Sequence, residues 1–281
     1  MSEQKSYPAA LLEGKKILAF RRKVYDYYRT HGRDLPWRKT DDPYRILVSE
    51  IMLQQTQVSR VIEKYDQFIR AFPDVESLAR APLREILSLW QGLGYNRRAL
   101  AAKRAAERVV ADYHGRIPTE VRSLTSLPGI GNTTASAICA FAFNQPTVFV
   151  ETNIRAVFIY NFFGNRREVT DSEIRSLVAH TLDRENPRLW YYALMDYGAA
   201  LKKGHGNPSR GSAHYRRQAR FEGSNRQIRG AILRELLRKG SLSERALVRQ
   251  SRLPLNSVRR NLADLEKEGL VVRRGTRFSI P

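Results

Sequence analysis

The spacing of apolar and polar positions predicts a chain that is helical over most of its length. Apolar residues return every three to four positions in several stretches, which is the period of one buried face of an α-helix. The predicted helices lie at residues 11–30, 45–71 (one helix or two), 83–91, a stretch after GLGYNRRAL that ends near residue 113, 172–181 and 187–201. The segments HGRDLPWRKTDDPY, FPDVESLARAP and HGRIPTE contain proline or glycine and are interpreted as loops or turns.

Residues 148–163, VFVETNIRAVFIYNFF, carry two signals. Their β-branched and aromatic residues are typical of strands. Thr152 and Asn153, however, are residues that cap helices. We therefore predict that the later part of this segment is a helix that begins near Thr152 or Asn153.

The glycine-rich stretch SLPGIGNTTASA predicts a tight turn in front of a helix. Gly129 and Gly131 can adopt positive φ, and Asn132, Thr133 and Thr134 offer capping oxygens. Backbone N–H groups at such a helix start attract anions, and a phosphate is the usual one. The alternative is a plain corner between two helices, because a short glycine motif is a weak signal by itself.

The pattern changes after residue 225. Three amphipathic segments, RQIRGAILRELLRKG, LSERALVRQSRL and PLNSVRRNLADLEKEG, precede two short strands around Gly275, which together predict a winged helix. Ser241 and Glu244 read as a capping box that opens the second helix. The third helix would present a polar set to a DNA groove. This set is Ser257, Arg259, Arg260 and Asn261. The alternative is a protein–protein module of the same fold.

Charge favours a polyanionic partner. Lys and Arg total 49 against 28 Asp and Glu, a formal net charge of +21. Residues 201–281 hold 20 of these cations and only 6 acids, so two thirds of the excess lies in the last 81 residues. Since phosphate contacts dominate non-specific affinity for nucleic acid, we expect this end of the chain to grip DNA. A merely solvated basic face is the alternative.

The single cysteine, Cys139, lies within the apolar stretch AICAFAF and is expected to be buried. One cysteine allows neither an intrachain disulfide nor a thiolate cluster, and His205 and His214 lack partners for a metal site. No apolar run is long enough to span a membrane. MSEQKSYPAA lacks a signal-peptide core, so we expect an intracellular protein.

Two carboxylates stand out as candidates for chemistry. Glu50 lies on an otherwise apolar helix, and Glu151 precedes a predicted helix start. A carboxyl in an apolar pocket tends to stay protonated, whereas one at a helix start tends to stay ionised. Such a pair supplies an acid and an anion to one site. Each alone is more often a cap or a member of an ion pair.

Several motifs occur in the order found in one enzyme family. These are LPWR, PYRILVSEIMLQQTQV, FPDVESLA, LWQGLGY, LPGIGNTTASAI and VETN. Over residues 11–198 the chain resembles the helix–hairpin–helix DNA glycosylases, and most of all their adenine DNA glycosylase (MutY) branch. The resemblance implies a mainly α fold in which residues 1–222 form a two-lobed core. Its six-helix lobe would span about 41–147, its second lobe 1–40 plus 148–222, and a winged-helix DNA-binding domain would span 225–281.

The resemblance also implies roles for individual residues. Glu50 falls on the acid that protonates the departing adenine, and Glu151 on the catalytic aspartate that stabilises the cationic sugar. Asn153 matches an asparagine near that aspartate. Gln55 and Tyr95 match residues inserted into the duplex when the base is flipped. Arg38 matches a residue that lines the base pocket.

Thr133 stands where lyase members of the superfamily carry a lysine, so we expect no efficient strand cleavage, because a hydroxyl cannot form a Schiff base. The chain departs from the family pattern at three places. Glu151 is one methylene longer than the family's aspartate, so its carboxylate must be placed differently. The four-cysteine iron–sulfur motif is absent, and no cofactor is expected. Five basic residues of the matching segment are expected to take over DNA contact; they are Lys202, Lys203, Arg210, Arg216 and Arg217. The winged helix replaces the usual domain that reads 8-oxoguanine.

The sequence therefore predicts a monofunctional, clusterless DNA glycosylase of base excision repair, with adenine as the first candidate base. The expected partner is double-stranded DNA that contains a mismatch or lesion, with no membrane partner. The protein is expected to act as a monomer in the cytoplasm of a prokaryote, on nucleoid DNA. The alternatives are a glycosylase for mismatched thymine or uracil or a bulkier lesion, and a non-catalytic DNA-binding protein that senses lesions.

Overall fold

A computed structural model describes residues 14–217 and 220–281. Its helices are α1 (Gly14–His31), α2 (Pro43–Leu53), α3 (Val58–Ala71), α4 (Val75–Arg80), α5 (Leu83–Leu89), α6 (Arg97–Tyr113), α7 (Val121–Thr125), α8 (Asn132–Phe143), α9 (Thr152–Phe158), α10 (Asp171–Thr181), α11 (Pro187–Gly204), α12 (Asn225–Lys239), α13 (Glu244–Ser251) and α14 (Leu255–Glu268). The strands are β1 (Ser241–Ser243), β2 (Val272–Arg274) and β3 (Arg277–Ser279). Residues 11–13 of the first predicted helix and the N-terminal MSEQKSYPAA lie outside the described residues. In the described ranges, no helix is both long enough and apolar enough to cross a membrane.

The described chain divides into two compact units. The first contains residues 14–43, 119–121 and 131–217, and the second contains 44–118, 122–130 and 220–281. This division differs from the domain boundaries expected from the sequence, because α8 belongs to the first unit and the winged helix shares a unit with α2–α6. The reason for the place of α8 is visible in its packing: Phe141 stacks on Tyr192 of α11 with ring centroids 4.7 Å apart.

The first unit has an aromatic core around α11. Trp190 is fully buried, and its ring meets Phe20 of α1 edge-on at 5.8 Å. Phe20 also contacts Phe158 of α9 at 5.5 Å. Edge-on aromatic pairs add to the burial of apolar area that drives folding. The core therefore joins α1, α9 and α11, and α11 is the helix to which the others attach.

The helical part of the second unit packs around Trp90 and Phe68, whose rings are 5.7 Å apart and both fully buried. Residues 72–82 are not simply a turn, as the sequence suggested. They include α4, which begins at a capping box. The Asp74 carboxylate accepts from the Ser77 backbone N–H, and the Ser77 hydroxyl oxygen accepts from the Asp74 backbone N–H. The cap supplies partners for N–H groups that a six-residue helix cannot satisfy internally.

The winged helix predicted from the sequence is confirmed: α12, α13 and α14 accompany an antiparallel sheet with strand order β1–β3–β2. The capping box predicted at Ser241 is wrong. Residues 241–243 form β1, in which Leu242 pairs with Phe278, and the N-cap of α13 is Ser243, which accepts from the Ala246 N–H. Pairing with the distant β3 therefore overrides the local capping signal.

Candidate functional site

Glu151 is itself the N-cap of α9. Its Oε1 accepts hydrogen bonds from the backbone N–H groups of Asn153 at 2.8 Å and Ile154 at 3.0 Å. The Asn153 side-chain amide donates to Oε2 at 3.3 Å. The predicted helix start near Thr152 or Asn153 is confirmed, since α9 begins at Thr152, and the carboxylate directly ahead of it takes the orphan N–H groups. The carboxylate thus lies at the positive end of the helix dipole.

The side chain of Lys202, near the end of α11, joins this cluster. Its Nζ donates to the Asn153 Oδ1 at 2.9 Å. Burial lowers the pKa of Lys202, and the attraction of Glu151 opposes that shift. Asn153 is thus held on both sides, donating to the carboxylate and accepting from the ammonium. The DNA contact expected of Lys202 stays a prediction.

The backbone around α9 is also held by the segment that follows α11. Ser209 Oγ donates to the Thr152 carbonyl at 2.9 Å. Gly198 of α11 lies against the Asn153 backbone, where any Cβ would collide with the Asn153 carbonyl. Close approach of α11 therefore requires glycine at this position. The two residues that follow Glu151 are therefore held by α11 and by the segment after it.

The same segment does not fit an iron–sulfur cluster. Such clusters are held by cysteine thiolates, and residues 202–217 contain no cysteine. Cys139 is fully buried in α8, as predicted, and burial raises the pKa of its thiol to about 11. Among the described residues, no group of three or more His, Cys, Asp and Glu side chains is placed to hold a metal ion. The remaining basic residues of the segment are exposed; they are Lys203, Arg210, Arg216 and Arg217.

Arg38 lies in a buried ion pair. Its Nη1 and Nη2 donate to Asp196 Oδ2 and Oδ1, both at 2.8 Å, and its guanidinium lies 4.5 Å from the Tyr192 ring centroid. Burial by itself would raise the pKa of Asp196, but the hydrogen bonds and charges of Arg38 and Arg33 outweigh it and lower that pKa. The pair ties the loop before α2 to α11. The pocket role of Arg38 stays a prediction.

In the second unit, Glu50 lies on α2 among buried neighbours. Ile46, Leu47 and Ile51 are almost fully buried, whereas Glu50 is partly exposed. The sequence pattern that singled out an acid on an apolar helix thus corresponds to a carboxylate at the margin of the core. In this position its carboxyl group is accessible to a substrate.

Gln55 and Tyr95, the two candidates for insertion into DNA, both have left-handed backbones. Gln55 has φ +54° and Tyr95 φ +47°. Residues other than glycine rarely adopt this conformation, and such strain concentrates at functional sites. Each residue lies in a turn, after α2 and before α6 respectively. Gln55 is exposed and Tyr95 is half-buried.

Arg98 holds these two turns together, and sequence reasoning missed it. Its buried guanidinium donates to the carbonyls of Ile51 and Met52 at 2.9 and 2.8 Å, and to those of Leu93 and Gly94 at 3.2 and 3.1 Å. It also donates to Thr56 Oγ1 at 2.8 Å. Burial lowers the pKa of Arg98 to about 10, so it remains charged at neutral pH. A single buried side chain thus fixes the ends of both turns.

Of the two glycines expected to be able to adopt positive φ, Gly129 does so, whereas Gly131 has φ −86°. Gly129 has φ +79°, and a Cβ there would lie 2.6 Å from the Ala101 Cβ, so only glycine fits. The Ile130 N–H closes the turn on the Leu127 carbonyl at 3.2 Å. Gln54 Nε2 donates to the Gly129 carbonyl at 3.2 Å.

The helix that follows the turn, α8, begins with exposed polar residues. Its N-cap is Gly131, which has no side chain to accept the first N–H groups. Asn132 and Thr133 are exposed in its first turn. This helix start therefore retains the geometry of an anion site.

On α14, Arg259 and Arg260 are exposed, as a DNA-contacting role requires. Arg259 pairs with Glu244 at 2.8 Å and Arg260 donates to Asn225 at 3.1 Å. Asn261, by contrast, is fully buried and donates to the Ser257 carbonyl at 2.9 Å. The expectation that Asn261 faces DNA is wrong, because Asn261 lies on the buried face of α14 together with Val258, Leu262 and Leu265.

Comparison with known proteins identifies the family. Residues 48–180 match the family model of the HhH-GPD superfamily base excision DNA repair protein, and residues 225–272 match that of a winged helix-turn-helix DNA-binding domain. An adenine DNA glycosylase of Mycobacterium tuberculosis is 32% identical over 237 residues, which cover 74% of this chain and 74% of that protein. An adenine DNA glycosylase of Buchnera aphidicola is 36% identical over 189 residues, covering 66% of this chain and 53% of that protein. A solved structure of a thermostable thymine-DNA glycosylase has a TM-score of 0.60 and 30% identity, and the match covers 66% of this chain and 87% of that one.

These matches agree with the observed fold, which is mainly helical and has a winged helix in its second unit. The chain belongs to the HhH-GPD superfamily of base excision DNA repair proteins. The resemblance to adenine DNA glycosylases and the fold class expected from the sequence are thereby confirmed. The chain spans about half the length of the Buchnera relative, 53%.

Proposed function

We propose that this protein is a DNA glycosylase of base excision repair that hydrolyses the N-glycosidic bond of a mispaired or damaged base. The observation that carries the proposal is the Glu151 carboxylate, fixed at the start of α9 by two backbone N–H groups and by Asn153. A carboxylate held in this way is suited to stabilise a cationic sugar. Adenine is the first candidate base, because relatives named adenine DNA glycosylase are 32% and 36% identical.

In the proposed reaction, the bond between C1′ and the base nitrogen breaks and its electron pair leaves with the base. Glu50 protonates the departing base, which makes it a better leaving group. The Glu151 carboxylate stabilises the positive charge that develops on the sugar. Water then adds to C1′ and releases a proton to solvent, Glu50 takes up a proton from solvent in its turn, and an abasic site is left.

DNA would be gripped by groups from several parts of the chain. We assign a backbone phosphate to the start of α8, where Gly131, Asn132 and Thr133 lie, next in sequence to the Gly129 turn. The exposed basic residues of 203–217, with Arg259 and Arg260 of α14, would contact further phosphates. Gln55 and Tyr95 would fill the space that the flipped nucleotide leaves. We further propose that the protein acts as a monomer on nucleoid DNA in a prokaryotic cytoplasm.

The proposed enzyme is monofunctional and lacks an iron–sulfur cluster. Thr133 offers a hydroxyl where a lyase needs an amine, so a Schiff base cannot form there. Borohydride trapping of a covalent DNA adduct would contradict this. Iron that copurifies in stoichiometric amount with the protein would contradict the absence of a cluster.

Base release from a panel of duplexes tests the proposal. The panel contains A:8-oxoguanine, A:G, T:G, U:G and an adduct-bearing base, each analysed with and without alkaline cleavage of the product. Strand breaks that appear only after alkali would establish a monofunctional glycosylase and identify its base. If no duplex loses a base while tight binding persists, the protein is a lesion sensor, and Glu151→Asp becomes the first variant to test for restored activity.

Removal of mismatched thymine is the second candidate function. The observation that favours it is the structural likeness to a thermostable thymine-DNA glycosylase at 30% identity. Release from T:G in preference to A:G and A:8-oxoguanine would decide for it, because the pocket selects the base and the fold does not.

A further inference from the structure

The winged-helix domain reaches the candidate insertion residue Tyr95 through one arginine. Arg226 is the second residue of α12, and its Nη1 donates to the Tyr95 hydroxyl at 3.1 Å. Its guanidinium lies 5.2 Å from the Tyr95 ring centroid and 5.9 Å from that of Phe221. The winged-helix domain, which the sequence predicts to bind DNA, is thus in contact with a residue that is a candidate for insertion into DNA.

Tyr95 is held from two directions. The guanidinium of Arg98, on α6, lies 5.6 Å from the Tyr95 ring centroid. Arg226, on α12 of the winged helix, donates a hydrogen bond to the Tyr95 hydroxyl. The Tyr95 backbone is left-handed, with φ +47°. A ring that two arginines contact, one of them also at the hydroxyl, has less rotamer freedom left to lose when it binds.

The C-terminal end of α12 also contacts the helical part of the second unit, so the helix that carries Arg226 is held in place at its other end. Arg84 of α5 donates to the carbonyls of Leu236 and Leu237, close to the last turn of α12. The Leu236 carbonyl also accepts the Gly240 N–H at 2.9 Å. A cation at this end of the helix complements the helix dipole. The helix is therefore anchored near both ends.

A groove of about 550 Å³ lies beside this contact, and the winged helix forms one wall of it. Its lining includes Gln55, Gln91, Tyr95, Phe221, Arg226 and Gln227. Phe221 is 59% exposed, which is unusual for so large an apolar ring. The side chain of Tyr95 thus borders open space, and its contacts with Arg98 and Arg226 help to fix its orientation.

We infer that Arg226 is a positioning residue that holds Tyr95 in the orientation needed for insertion into DNA. Tyr95 is the wedge that separates the stacked bases, and through Arg226 the winged-helix domain helps to orient it. The inference rests on the proposed function, in which Tyr95 fills the stack beside the flipped nucleotide. Insertion separates stacked bases at a cost in free energy, so a ring that is already oriented inserts with less loss of side-chain entropy. Binding of the winged helix to the duplex and insertion of Tyr95 are then coupled through one side chain.

The test uses the full chain and a duplex that carries a tetrahydrofuran abasic-site analogue opposite 2-aminopurine. The fluorescence change of 2-aminopurine at saturating protein reports insertion independently of affinity. Arg226→Ala is expected to reduce this amplitude and to lower the base-release rate at saturating enzyme by a factor of about 2 to 10, the value of one hydrogen bond. Arg226→Lys keeps a charge and a donor and should restore part of both. Arg245→Ala, which removes an exposed charge from α13 outside the groove, is the matched control and should retain the amplitude.

A double-mutant cycle identifies the contact through which Arg226 acts. Tyr95→Phe removes only the hydroxyl, so the effects of Tyr95→Phe and Arg226→Ala should fall well short of adding in the double variant. Full additivity, or an amplitude for Arg226→Ala equal to that of Arg245→Ala, would overturn the inference while base release still supports the proposed function. If the unmodified protein gives no fluorescence change although it releases a base, Tyr95 is not the wedge and the inference fails by itself. If the panel shows no base release either, the proposed function fails with it.

Discussion

Glu50 is the residue at which chemistry and binding can be separated most directly. Glu50→Gln keeps the size and polarity of the side chain on α2 but removes its transferable proton. We expect base release to fall by about 10²- to 10⁴-fold, the usual contribution of a general acid, while affinity for the duplex is retained. Single-turnover base release and an electrophoretic mobility shift on the same duplex check this. Loss of binding together with activity would show that Glu50 has a structural role.

Glu151 combines a structural and a proposed catalytic role, and two substitutions distinguish them. In Glu151→Gln an amide oxygen can still accept the N–H groups of Asn153 and Ile154, but the charge is gone. We expect base release to fall by about 100-fold or more with nearly unchanged stability. Glu151→Ala removes the cap as well and should cost about 1 kcal/mol in the free energy of unfolding. Urea denaturation and single-turnover rates measure both. Equal stability of the two variants would contradict the capping role.

Arg98 is expected to be essential for stability because its guanidinium is the partner of several buried carbonyls. Arg98→Met fills a similar volume but leaves the carbonyls of Ile51, Met52, Leu93 and Gly94 without this donor. We expect a loss of about 3 kcal/mol or more in the free energy of unfolding. The neighbouring Arg97 is exposed, so Arg97→Met is the control and should change stability by less than about 0.5 kcal/mol. Similar losses in both variants would mean that the hydrogen bonds of Arg98 contribute little.

The end of α11 and the segment after it hold the start of α9 in place. Lys202 reaches Asn153 and Ser209 reaches Thr152, so both contacts fall directly after Glu151. Lys202→Met preserves the apolar stem of a half-buried side chain but frees Asn153. We expect single-turnover base release to fall by about tenfold or more, because small errors in the placement of a reacting group are costly.

Lys203→Met is the matched control for that variant. Lys203 is exposed on the same helix end, so its replacement should weaken DNA binding without slowing the chemical step at saturation. If Lys202→Met instead weakened binding and left the saturated rate unchanged, Lys202 would be a DNA contact, as the sequence alone had suggested.

Elements with a strong local period could be predicted from the sequence, and features made by distant partners could not. The predicted helices at 172–181 and 187–201 correspond closely to α10 and α11. β1 was mistaken for a helix start, because its partner β3 lies some 36 residues away and the local serines favour a cap. The contact of Lys202 with Asn153 was missed for the same reason, since it spans 49 residues. Arg98 had no distinguishing local signal beyond its place after a glycine turn.

The candidate site follows the same rule. The motifs identified Glu50, Glu151, Gln55 and Tyr95, because each belongs to a short stretch whose residues are neighbours in sequence. The contacts that hold two of them, Tyr95 by Arg226 and the helix start at Glu151 by Lys202, join residues from different parts of the chain. Periodicity and composition carry no information about such contacts, which depend on how helices pack.

Across the whole molecule, the net charge of +21 predicts an affinity for DNA that depends strongly on salt. Each phosphate neutralised releases condensed counterions, so the slope of log K against log salt is about −0.9 per contact. Arg260→Gln removes one exposed cation from α14 and should weaken binding to every duplex alike, with a slope smaller by about 1. Arg29→Gln is the control, because Arg29 lies on α1 and already pairs with Asp26. Fluorescence anisotropy between about 50 and 200 mM salt measures both slopes. An unchanged slope for Arg260→Gln would mean that α14 does not face the phosphates, and it would favour the alternative that the winged helix binds protein.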